Sequence, residues 1–168
     1  ALSSKIDRVM QAYSQLTVGN RYLAEHAAQA GASSIQILPS VVDTDHYAAV
    51  PPKERSKFVI GWIGTPKTVH FLELIQPALA AVLDERTRCI LVGAQVPDSM
   101  RDLPVESQPW REDSEVAQIQ QFDVGIMPLL DAPFERGKCG YKLIQYMACG
   151  LPVVASPVGV NQEIVEPG

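Results

Sequence analysis

Residues 134–161 read FERGKCGYKLIQYMACGLPVVASPVGVN, and this stretch decides the fold. Gly137 and Gly140 sit in a loop with Lys138 between them. Leu143, Ile144, Met147 and Ala148 then recur at helical spacing, which predicts a helix over 141–149. Gly150 stops that helix, and Pro152 blocks its continuation. Val153, Val154 and Ala155 read as a short buried strand, ended by Ser156 and Pro157. A glycine loop feeding a helix is a phosphate-binding arrangement. The first amides of the helix are unpaired, and its dipole favours an anion there. Lys138 and Lys142 add positive charge to the loop and the first turn. Four residues apart, both can face one diphosphate.

Upstream of this stretch the chain alternates strands with helices. FVIGWIG (58–64), RCILVGA (88–94) and FDVGIMPL (122–129) are apolar runs of strand length, and VES (105–107) is a shorter one. Between them, 68–83 carries a long helical pattern and 112–121 a short one, while 97–103 reads as a loop. Strands that are apolar throughout and separated by helices indicate a parallel sheet covered on both faces. The fold class is therefore α/β, a doubly wound, Rossmann-like parallel sheet. Its ligand is expected at the carboxyl ends of the strands. Residues 1–16 have a helical pattern, LTVGN (16–20) and SIQILPS (34–40) read as short strands, and Asn20 is placed to cap a helix over 21–30 that stops at Gly31. A polar linker with Pro51 and Pro52 covers 50–57.

The 168 residues suffice for a domain with its own core, and 46% apolar with 20% charged residues is a globular composition. Net charge is −5 with no basic cluster, which argues against a nucleic-acid partner. No apolar run is long enough for a transmembrane segment. No signal peptide is visible; the chain starts at Ala1 without Met, so a missing upstream segment is expected. Cys89, Cys139 and Cys149 are odd in number and lack metal-ligand spacing, which suggests a reducing compartment. Cys139 beside Lys138 has no base to make it a nucleophile, and His26, His46 and His70 have no partners in sequence.

Residues 137–161, GKCGYKLIQYMACGLPVVASPVGVN, resemble the signature of the family 4 glycosyltransferases, the group 1 transferases of the two-lobed GT-B fold. That signature has a glutamate, a glycine, a second glutamate eight positions after the first, and then AMA-x-G-x-PVVA. Gly140 matches the glycine, and MACGLPVVAS matches the tail. Gly137 stands at the first glutamate and Gln145 at the second. TVGN, a helix, ILPS and then VVD-x-x-x-Y resemble the end of the family's N-terminal lobe. The resemblance thus implies that 1–41 is the tail end of an acceptor lobe with the interlobe linker. It implies that 42–168 is a truncated, nucleotide-sugar-binding C-terminal lobe.

The resemblance also gives roles to the loops. In GWIGTPKT, Lys67 matches a family lysine for the donor pyrophosphate, while Trp62 replaces an arginine; a solvated lysine at a helix start is the competing reading. The loop QPWRED lies beside the base in the family, so Trp110 is a candidate for shaping that pocket, against simple rim packing. Asp131 and Glu135 lie close to the gap left by the first glutamate and are candidates to replace its hydrogen bonds to sugar hydroxyls; a charged surface loop is the commoner case. Gln145 would meet the ribose, with an amide that donates and accepts but carries no charge. Gly159, Val160 and Asn161 would offer amides to the sugar or phosphate.

The implied activity is transfer of a sugar, with retention, from a nucleoside-diphosphate sugar to a hydroxyl acceptor, a glycan or lipid-linked saccharide in the parent protein. The donor is a substrate, and the resemblance implies no further cofactor and no metal at the phosphates. No acidic pair is spaced to hold one. The parent is expected in the cytoplasm or at the inner face of the membrane, in polysaccharide assembly. The sequence sets no oligomeric state. Two other readings stand beside this one: a non-catalytic nucleotide-sugar-binding module, and a sugar-nucleotide epimerase of the same two-lobed fold, against which the AMACG-like tail argues.

Overall fold

The computed structural model describes residues 2–51 and 55–166. In chain order the elements are α1 (Leu2–Ala12), β1 (Leu16–Val18), α2 (Arg21–Gln29), β2 (Ile35–Ile37) and β3 (Phe58–Ile63). A 3-10 helix (Val69–Ile75) runs into α3 (Gln76–Val82), followed by β4 (Thr87–Val92), a 3-10 turn (Asp98–Met100), β5 (Val105–Gln108) and α4 (Glu115–Ile119). The chain ends with β6 (Val124–Met127), α5 (Pro133–Arg136), α6 (Tyr141–Ala148), β7 (Val153–Ala155) and α7 (Asn161–Ile164). They fall into two compact units. One holds the described residues of Ala1–Val41, Asp131–Tyr141 and Pro157–Gly168; the other holds those of Val42–Leu130 and Lys142–Ser156.

In the first unit β1 and β2 pair in parallel, Leu16 opposite Ile35. Asn20 caps α2 as its sequence predicts, its side-chain oxygen accepting the Leu23 N–H at 2.9 Å. The same side chain is buried, and its amide nitrogen donates to the Lys138 carbonyl at 3.0 Å.

The second unit is built on five strands, all parallel, in the order β5-β4-β3-β6-β7. Numbered among themselves, they run 3-2-1-4-5, so the chain winds outward one way and then the other from its first strand. The predicted fold class, a doubly wound parallel α/β sheet, is the observed one. β3 is buried at every position from Val59 to Ile63, as a strand covered on both faces must be. Ile60, Trp62, Leu72, Leu79, Cys89, Leu91, Met100 and Ile126 form one core cluster. Gly61 and Gly125 stand opposite each other in the register of β3 and β6. A Cβ at Gly61 would collide with the Phe122 ring, and one at Gly125 with the Tyr146 ring, so these bare positions let two aromatic side chains onto the sheet.

Four local expectations change. β7, read as a buried strand, lies at the edge of the sheet, and Val154 is exposed. The helix read over 68–83 is broken in two, because Pro77 sits at the start of α3 and has no N–H to continue an α-helix from upstream. The segment 97–103, read as a loop, contains a 3-10 turn that buries Met100. The one-turn helices α5 and α7 were not expected; four residues are too few to show a helical period. Of the linker over 50–57, Pro52 lies outside the described residues. No helix among the described residues is long and apolar enough to cross a membrane.

Candidate functional site

Three consecutive strands of the second unit end at one pocket. It is lined by Gly64, Thr65 and Pro66 after β3, by Gly93, Ala94 and Gln95 after β4, and by Ser107 to Trp110 at the end of β5. Its volume is about 570 Å³, within the range of small-molecule sites. Gly93 has φ of 88°, and a Cβ there would strike the Gly64 carbonyl oxygen, so only glycine lets the two loops approach so closely. The loops are tied down: Ser107 Oγ donates to the Ala94 carbonyl at 2.7 Å, and Gln118 Nε2 donates to the Pro109 carbonyl at 2.9 Å.

Lys142, on the first turn of α6, reaches back to the end of β3. Its Nζ lies 4.7 Å from the centroid of the Trp62 ring, and Trp62 is buried. An ideal Cβ on Gly64 would stand 2.8 Å from the same ammonium, so the charge adjoins the first pocket loop. The ring face attracts the cation. Trp62 brings no charge of its own, but it holds one. Lys67 is exposed in the turn that follows β3, where the Thr68 N–H bonds the Thr65 carbonyl at 2.9 Å.

Trp110 and Gln145 are brought together through a residue that the sequence did not single out. Glu115 is the first residue of α4. Its Oε1 accepts from the Tyr47 hydroxyl and from Gln145 Nε2, and its Oε2 accepts from the indole Nε1 of Trp110. Gln145 Nε2 also donates to the Tyr47 hydroxyl at 2.8 Å. Both hydrogens of the Gln145 amide nitrogen therefore serve Tyr47 and Glu115, and Gln145 is 3% exposed. The sequence reading gave that amide to a ribose; here it is spent inside the protein. Glu115 was missed because its partners lie at 47, 110 and 145. The run EDSE, acidic at a helix start, marks a helix there but says nothing of those partners.

The remaining sequence candidates lie in the first unit. Asp131 is gripped by Arg136 in a two-pronged pair, Nε to Oδ1 at 2.6 Å and a terminal nitrogen to Oδ2 at 3.0 Å. That guanidinium holds the Asp131 carboxyl below the usual carboxylate range. Glu135 is buried, with its carboxylate 3.8 Å from Lys138 Nζ. Burial pulls the Lys138 pKa down, and the neighbouring Glu135 opposes the shift. Lys138 Nζ also lies 5.4 Å from the Phe134 ring centroid. Gly137 follows α5 directly. Gly140, directly before α6, has φ of 65°, and a Cβ there would press on Ile164. Gly159 precedes α7; Asn161 begins it, is 2% exposed, and gives its backbone N–H to Val158 at 3.2 Å. Lys138 and Lys142 thus belong to different units.

The family described as "Glycosyl transferases group 1" matches residues 57–168. No curated protein matches the chain. Among solved structures, HepE from Anabaena in complex with UDP and glucose is similar over 99% of this chain and 52% of its own, at 19% identity and a TM-score of 0.77. TarM is similar over 96% of this chain and 34% of its own, at 14% identity and a TM-score of 0.71. The C-terminal domain of a group 1 family glycosyl transferase, LpcC from Francisella tularensis, matches over 76% of both chains at 17% identity and a TM-score of 0.56. The chain spans about half the length of HepE.

Proposed function

The chain belongs to the group 1 glycosyl transferases, and from that premise we propose that it is mainly the donor-binding C-terminal lobe of a retaining, family 4-like enzyme. The parent would move a sugar from a nucleoside diphosphate to a hydroxyl of a glycan or lipid-linked saccharide. One observation carries this reading: the Lys142 ammonium, set over the buried Trp62 ring, adjoins a pocket formed at the carboxyl ends of three parallel strands. The base and ribose take the Trp110 pocket, and the diphosphate lies toward Gly64 and Lys142. As the bond from the sugar carbon to the diphosphate oxygen lengthens, negative charge builds on the leaving oxygens. A fixed cation and the amides that open α6 stabilise that charge without reorganising. Lys67, exposed beside the pocket loop Thr65–Pro66, is a second cation for the same group. Retention, family 4 membership, the lack of any further cofactor and a cytoplasmic or membrane-peripheral setting follow the resemblance.

The competing reading is a nucleotide-sugar-binding module without catalysis. In its favour, glycine and glutamine stand at the two family glutamate positions, 137 and 145. Donor turnover by the full-length parent separates the two.

HepE's complexes with UDP and with UDP-glucose make uridine nucleotides the first probe. Calorimetric titration of the chain with UDP, GDP and ADP should find at least one that binds. Lys142→Ala should weaken it by about 1–3 kcal/mol, the range for a charge-assisted hydrogen bond. A variant that binds all three as the parent chain does would place the diphosphate elsewhere.

A further inference from the structure

Trp110 is an unusual side chain for a loop. It is 49% exposed, yet its single polar atom is fastened to a carboxylate that is itself held by two buried groups. A half-exposed tryptophan ordinarily keeps its indole N–H in water and turns among rotamers. Here Glu115 fixes one end of the ring, and Tyr47 and Gln145, 7% and 3% exposed, fix Glu115. The ring so held forms part of the pocket wall beside Gly93, Ser107 and Gln108.

We propose that Glu115 is a positioning residue for nucleotide binding: by accepting the indole N–H, its carboxylate orients Trp110 as a preformed stacking wall for a flat nucleobase. The inference rests on the donor-site reading above and adds the residue that organises it. A planar base finds in an oriented indole a face of matching size, whichever base it is. A ring oriented before the ligand arrives loses little further rotational freedom on binding, so the affinity gained from stacking is kept. Glu115 touches no ligand in this account. It acts through Trp110.

The test is a double-mutant cycle on the purified chain, using whichever of UDP, GDP and ADP binds most tightly, with inorganic pyrophosphate as the probe that lacks a base. Glu115→Gln keeps the shape of the side chain but turns an N–H toward one of its three donors; Glu115→Ala removes the anchor. Each should raise the nucleotide Kd about ten-fold, the scale of one base–aromatic stack, and leave the pyrophosphate Kd unchanged. The acrylamide-quenchable tryptophan emission comes from Trp110, because Trp62 is 2% exposed, and its anisotropy should fall in both variants. In a Trp110→Ala background, Glu115→Ala should have no further effect on the nucleotide Kd. Nucleotide binding by the parent chain that both Glu115 variants preserve overturns this inference alone. So does a full additional loss in the Trp110→Ala background. Failure of the parent chain to bind any of the three nucleotides overturns the donor-site reading, and this inference with it.

Discussion

Gln145 shows how a residue's neighbours decide what it can be. At this position the family signature has glutamate, and a carboxylate here would face Glu115, whose Oε1 lies 2.5 Å from Gln145 Nε2. Two carboxylates at that distance cannot both be ionised, so they must share a proton. An amide is the complementary partner instead, giving one hydrogen to Glu115 and one to Tyr47. Gln145→Glu is therefore expected to destabilise the chain in a pH-dependent way. One carboxyl of the pair would have its folded pKa raised above its unfolded value of about 4.3. The stability tied to its proton is fully present below that unfolded value and lost as pH rises through the raised one. Thermal melts should show a small deficit against the parent at pH 5 and a larger one, roughly 1–3 kcal/mol, at pH 8. A deficit that is the same at both pH values would mean that the two groups do not meet.

Among the elements, α6 links the sheet to the site. It sets Lys142 over the Trp62 ring, ties Gln145 to Tyr47 and Glu115, and sends Tyr146 onto the sheet. The Tyr146 hydroxyl accepts the backbone N–H of Ile63, the last residue of β3, at 2.9 Å in a fully buried place. Burial pushes the phenol pKa up, so the group stays a neutral hydroxyl. Tyr146→Phe keeps the ring against Gly125 and removes only that acceptor. An orphaned buried N–H costs about 1–3 kcal/mol, and urea unfolding should show a loss of that size with an unchanged denaturant slope. An unchanged midpoint would show that water replaces the hydroxyl. The strands and α6 were legible in the sequence because their apolar runs are long enough to show a period, as in FVIGWI and in Leu143, Ile144, Met147. The break at Pro77 was legible in principle, since proline inside a helical pattern ends or kinks it. The single turns α5 and α7 were not, because four residues display no repeat.

At the scale of the whole molecule, the fold was easier to read than the site. Lys142 became a candidate because it stands beside a glycine loop, a local pattern. Trp110 became one through the resemblance, as the base-side loop. Glu115, which joins residues 47, 110 and 145, has no local signature: its role exists only once the sheet has gathered α4, α6 and the loop after β5. The donor-lobe proposal also predicts what these 168 residues do alone. Glycosyl transfer needs the sugar carbon of the donor and the acceptor oxygen held roughly 3–3.5 Å apart in one aligned geometry. The chain spans 52% of the length of HepE, and on the donor-lobe proposal the acceptor oxygen is held by residues outside it. The proposed donor groups described here, the pocket, Lys142 and Trp110, all lie in the second unit. The purified chain should accordingly bind a nucleoside diphosphate and leave its sugar donor intact. Incubation with radiolabelled UDP-glucose and a panel of saccharide acceptors, followed by chromatography, should recover unchanged donor, while calorimetry on the same preparation shows UDP binding. Formation of a labelled glycoside would show that these residues carry the acceptor site as well, and that the assignment to a donor lobe is too narrow.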